Sequence, residues 1–63
     1  MDFAKNFKEA RIKAGLSQQK VADALGLDRS AIAHYEKGDA TPNIKNIPEI
    51  CELLNISFEE LLK

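Results

Sequence analysis

Apolar residues in this chain recur at helical spacing, and no stretch alternates apolar and polar as a half-buried strand would. Phe3, Phe7, Ala10 and Ala14 follow the 4-3-4 spacing of one face of a first helix. Asp2 can cap that helix, and Gly15 offers a left-handed stop. In "LSQQKV" Ser17 is the N-cap of a second helix, and Leu16 can staple onto Val21. Val21, Ala22 and Leu25 form its buried stripe, and Gly26 ends it. "LDRSAI" repeats the device: Asp28 caps, Leu27 staples onto Ile32, and Ile32 and Tyr35 face inward until Gly38. About three residues, Gly26 among them, join these two helices, which is the connection of a helix-turn-helix.

The loop "DATPNIKN" follows, and then Ile44, Ile47, Ile50, Cys51 and Leu54 mark another helical face, ended by Asn55 in the left-handed region. Pro48 sets where that helix begins. Inside a helix proline costs about 3 kcal/mol, whereas the first turn tolerates it. The fourth helix therefore starts near Asn46 or Ile47, with residues 43–45 a loop or separate turn. "ISFEELLK" carries a capping box, Ser57 with Glu60, and a staple from Ile56 to Leu61. The pattern predicts an all-α fold, five helices in a single domain over residues 1–63.

Sixty-three residues build one core, and a chain so short buries only about 60% of the surface it exposes unfolded. Composition is that of an ordinary globular domain, 44% apolar and 30% charged. No apolar run approaches the ~20 residues of a membrane span, and "MDFAKNFKEA" lacks the apolar segment of a signal peptide. The one cysteine, Cys51, has no partner for an internal disulfide, which points to a reducing cytosol. On the apolar face of the fourth helix it reads as a small hydrophobe. One His and one Cys make no metal set, and no Ser/His/acid set or Gly-rich phosphate loop is present. No cofactor is indicated, and an enzyme is the poorest reading. Charge is uneven: residues 1–37 hold seven Lys/Arg against five Asp/Glu (+2), and residues 38–63 two against five (−3). That asymmetry hints at an anionic partner on one side.

"LSQQKVADALGLDRSAIAHYEKG" followed by "ATPNIKNIPEICELLNISFEELL" resembles the phage repressor/Cro-type, or XRE, helix-turn-helix family. The likeness runs from about Phe7 to Leu62. It is carried by Arg11, Ser17-Gln18, Val21-Ala22, Gly26, Ile32, Glu36-x-Gly38, Pro42 and Leu54-x-Ile56. It implies a compact five-helix domain, bacterial or phage-encoded, whose third helix enters the major groove of double-stranded DNA. It also implies two-fold homodimers on palindromic half-sites about one helical turn apart. Arg11 and Glu36 are implied to form a partly buried, structural ion pair. Two positions depart from the family's habit. Lys20 stands where Glu often completes a capping box, and Asp39 stands where Lys or Arg is common, so that an acid there would repel a nearby phosphate.

In the third helix Arg29, Ser30, Ala33, His34 and Lys37 share the face opposite Ile32 and Tyr35. Arg29 suits base reading best, since its fork matches O6 and N7 of guanine. Ser30 can donate or accept, Ala33 permits close approach and contact with a thymine methyl, and His34 can bond a base edge or a phosphate. Lys37, at the far end, suits the phosphate backbone. Other phosphate candidates are Ser17 and Gln18, at a helix start whose free N–H groups suit an anion, with Lys20, Thr41, Asn43 and Lys13. Each has a plainer rival: Ser17 and Asp28 cap helices anywhere, and a single exposed Arg, Lys or His is commonly just solvated. Net charge of −1 measures the long-range field, while within a Debye length of ~8 Å local arrangement decides. With Arg11 and Glu36 neutralised and Asp28 tied to backbone N–H groups, the recognition face would show Arg29, Lys37 and Lys20. Two readings stand: a sequence-specific DNA-binding transcriptional regulator, a repressor first among them, or a protein-interaction module of the same fold, antitoxin-like or sequestering a partner. Acidic helices four and five, with Phe58, Leu61 and Leu62, favour some protein contact.

Overall fold

The structure, a computed structural model, describes residues 2–63. Five helices follow one another: α1 (Phe3–Lys13), α2 (Gln18–Leu25), α3 (Arg29–Lys37), α4 (Ile47–Leu54) and α5 (Phe58–Leu62), with a 3-10 turn over Ile44–Asn46 before α4. No strand occurs among the described residues. Pro48 sits in the first turn of α4, and its predecessor turn is the separate element the proline implied.

Local chemistry sets these boundaries. Ser17 Oγ accepts from the Lys20 N–H at 3.0 Å, and Ser57 Oγ accepts from the Glu60 N–H at 3.1 Å. Half of the expected box at α5 is replaced, because the Ser57 hydroxyl donates to the Glu60 carboxylate at 3.1 Å. Gly26 ends α2 at φ +69°, a left-handed conformation costly for any residue with a Cβ. Two expected caps do not form: Asp2 and Asp28 occupy N-cap positions, yet neither side chain accepts a capping hydrogen bond.

All five helices bury residues in one core built from Phe3, Phe7, Ala10, Val21, Ala22, Ile32, Tyr35, Ile47, Ile50, Leu54 and Leu61. Phe3, Phe7 and Tyr35 pack as an aromatic trio, with Tyr35 edge-on to both phenylalanines at centroid distances of 6.4 and 5.9 Å. Leu16, Leu27 and Ile56, the staple residues, lie half-buried against this core. Ala14 and Ile44 depart from the helical-face reading, since both are exposed. Ala14 lies beyond the last turn of α1, and Ile44 lies in the 3-10 turn, where the 3.6-residue register of α4 does not hold.

Candidate nucleic-acid interface

Helix α3 is held from within and open from without. Ile32 is fully buried and Tyr35 nearly so, while Arg29, Ser30, His34 and Lys37 are exposed and Ala33 is half-buried. Packing of α3 against both α1 and α2 fixes its inward side. Its outward side is a stripe of side chains free to meet a ligand, and Arg29, Ser30 and Lys37 make no side-chain hydrogen bond or ion pair among the described residues.

Arg11 and Glu36 lock the inward side. Arg11 Nε donates to Glu36 Oε2 at 2.6 Å and Nη2 to Oε1 at 3.1 Å, while Nη1 donates to the Leu16 carbonyl at 2.8 Å. This fork-to-fork pairing joins α1, the α1–α2 turn and α3. Its side chains are only 12% and 4% exposed, so the pair is largely shielded from solvent. Gln18 joins it, its Nε2 donating to Glu36 Oε1 at 3.1 Å. One N–H of the Gln18 amide, a phosphate candidate in the sequence, is therefore engaged, and its other N–H and the backbone N–H remain for an anion. The backbone N–H groups of Gln18 and Gln19 lie at the open start of α2, since the Ser17 hydroxyl caps Lys20 instead.

The other candidates are scattered about this centre. Lys20 and Thr41 are exposed. Asn43 is exposed, and its Oδ1 accepts from the Lys45 N–H at 3.2 Å, capping the 3-10 turn. Lys13 lines a groove between α1 and the α4–α5 end, with Asn6, Glu60 and Lys63. Asp28 alters the electrostatic expectation. With its carboxylate uncapped and exposed beside Arg29, the face carries an acid that the cap had been expected to absorb. Asp39, absent from the expected contact set, stands with Oδ2 3.6 Å from His34 Nδ1.

A second feature lies away from α3. Ile44 and Phe58, 78% and 54% exposed, flank a groove of about 370 Å³ that Ile47, Pro48, Cys51 and Ile56 also line. Burial pushes the Cys51 thiol above its ordinary value, which favours the protonated form. No helix among the described residues is long and apolar enough to cross a membrane.

Comparison with known proteins agrees with this architecture. The helix-turn-helix family model matches residues 7–61. The chain is 38% identical over 61 residues to the SPbeta prophage-derived uncharacterized HTH-type transcriptional regulator YonR of Bacillus subtilis, covering 97% of this chain and 56% of that protein. It is 39% identical over 61 residues to the uncharacterized HTH-type transcriptional regulator YqaE of the same organism, covering 97% and 53%. The chain thus spans about half the length of these curated relatives. Among solved structures, the restriction-modification controller protein C.AhdI from Aeromonas hydrophila superposes with a TM-score of 0.83 at 35% identity, over 95% of this chain and 91% of that one. With its two central helices joined through Gly26 and its third helix presenting an open polar face, the chain belongs to the phage repressor/Cro-type (XRE) helix-turn-helix family of DNA-binding domains.

Proposed function

We propose that the chain, acting as one domain over residues 1–63, is a sequence-specific transcriptional regulator, a repressor in the first instance, that lays α3 in the major groove of duplex DNA. The observation that carries this reading is the division of α3 into a clamped inner side and an unencumbered outer one. Arg29 reads guanine through O6 and N7, with Ser30, Ala33 and His34 against neighbouring base edges. Lys20, Lys37, Thr41, Asn43, the Ser17 helix start and the Gln18 N–H hold phosphates. A net charge of −1, with Asp28 and Asp39 near the reading face, makes non-specific attraction weak. Binding then leans on a second copy, the two α3 helices entering half-sites of a palindromic operator roughly 34–36 Å apart. The apolar groove flanked by Ile44 and Phe58 is the seat for that copy, lying apart from the base-reading face.

The exposed groove also favours the interaction-module reading, and one variant separates the two. Arg29→Ala is expected to lose about 1–3 kcal/mol on the preferred duplex and to relax base choice at one position. A protein-interaction module would keep its partner affinity unchanged by that substitution and would retain no preferred duplex.

A further inference from the structure

The Glu36 carboxylate serves two neighbours at once. Its Oε2 takes the Arg11 Nε–H at 2.6 Å, and its Oε1 takes two donors at 3.1 Å each, Nη2 of Arg11 and Nε2 of Gln18. A carboxylate oxygen offers two lone pairs, so Oε1 is filled. Arg11 is tied in turn to the Leu16 carbonyl at 2.8 Å, two positions before Gln18. With its side chain 4% exposed and its charge paired, Glu36 is a fixed acceptor against which Gln18 rests.

An ionised carboxylate only accepts, and an amide carbonyl facing it would set lone pair against lone pair. The Gln18 amide therefore turns its NH2 group, not its oxygen, toward Glu36. That group carries two N–H bonds; one is spent on Oε1, and the second has no acceptor among the described residues. Gln18 is also the first residue of the eight-residue helix α2. The Ser17 hydroxyl satisfies the Lys20 N–H there, which leaves the backbone N–H groups of Gln18 and Gln19 open. Three N–H groups, one of them on a side chain held in place, thus belong to the positive end of the α2 dipole. Behind them Arg11 balances the charge of Glu36, so the buried acid does not repel an anion. The Gln19 amide has no such anchor, since its acceptor, Asp23 Oδ1 at 2.9 Å, belongs to an exposed residue.

We infer that Glu36 is a positioning residue for DNA binding: it holds the Gln18 amide so that the second N–H joins the backbone N–H groups of Gln18 and Gln19 on one phosphate. The inference rests on the DNA reading above and deepens it, giving the ion pair a part in binding as well as in folding. A glutamine loose in water gives up side-chain rotamers when it grips a phosphate, whereas one already held gave them up on folding. The contact is uncharged on the protein side, so it adds affinity for every duplex and leaves counterion release as it was.

The test has two arms. In ¹⁵N–¹H spectra of the free protein, the two Gln18 side-chain protons, assigned by their loss in Gln18→Ala, are expected to differ. One should be hydrogen-bonded and slow to exchange, the other as fast as an exposed amide. Two protons that exchange alike would overturn the inference alone. In duplex binding, measured well below the melting transition of each variant, Gln18→Ala and Glu36→Gln are each expected to lose about 2–10-fold on any sequence. The slope of log affinity against log salt should stay as it is in the unaltered chain. Adding Glu36→Gln to Gln18→Ala should cost nothing further. An equal loss from Glu36→Gln in both backgrounds would make that residue structural alone and overturn the inference, as would Gln18→Ala binding like the unaltered chain. Should Glu36→Gln fail to fold, the spectra and Gln18→Ala decide the matter. Failure of the unaltered chain to retain any duplex would overturn the DNA reading and this inference with it.

Discussion

Helix α3 carries one acid–base pair on each side, and the two differ in almost everything but charge. On the inner side Glu36, 4% exposed, receives three hydrogen bonds from Arg11 and Gln18 and ties α3 to α1 and to the start of α2. On the outer side Asp39 stands 3.6 Å from His34, with both side chains mostly in water. Water screens an exposed pair until it is worth little to the fold, whereas a shielded pair cannot lose one member without leaving a desolvated charge behind. The inner pair therefore belongs to stability, and the outer pair adds little to it. A helix that must be rigid and legible at once can separate those duties by side.

Substitutions can break or sharpen this contrast. The largest effect is expected from Glu36→Ala, which strands Arg11 in its pocket and should cost about 3–5 kcal/mol. For a domain of this size that is a fall in Tm of more than about 10 °C by calorimetry. An unchanged Tm would mean that the inner pair contributes nothing. Ile32→Ala removes the fully buried anchor of α3 and should cost about 2–5 kcal/mol, with DNA affinity lost only as the fold is lost. Arg29→Ala should reverse the pattern, with Tm preserved and about 1–3 kcal/mol of binding lost on the preferred duplex alone. Phe58→Asp places a charge on the apolar groove and should weaken self-association by at least about 1 kcal/mol in analytical ultracentrifugation while leaving the monomer folded. Smallest is Lys37→Ala, expected to weaken every duplex alike and to reduce the slope of log affinity against log salt by about 1. A loss confined to one sequence would make Lys37 a base reader instead.

What could be read in the chain beforehand follows from how local each signal is. Ser17, Ser57, Gly26, Gly38 and Pro48 act on their immediate neighbours, and the helix boundaries fall where they direct. The inward stripe of Ile32 and Tyr35 is equally local. Arg11 with Glu36 is separated by 25 positions and was accessible only through family resemblance. The engagement of Gln18 by Glu36 had no local signal, because it depends on which of several acceptors tertiary packing brings near. Asp28 misled because a residue type that favours an N-cap does not oblige its side chain to bond there. Asp39 escaped because its contact with His34 exists only once Gly38 has reversed the chain.

Selection of bound sequences from random duplex DNA at low ionic strength probes the outer face of α3 most directly. The expected result is an enriched two-fold palindrome whose half-sites lie one helical turn apart, with retention that falls as salt is added. Retention of no duplex, or retention that Arg29→Ala leaves unchanged in both affinity and sequence, would contradict a base-reading role for this helix.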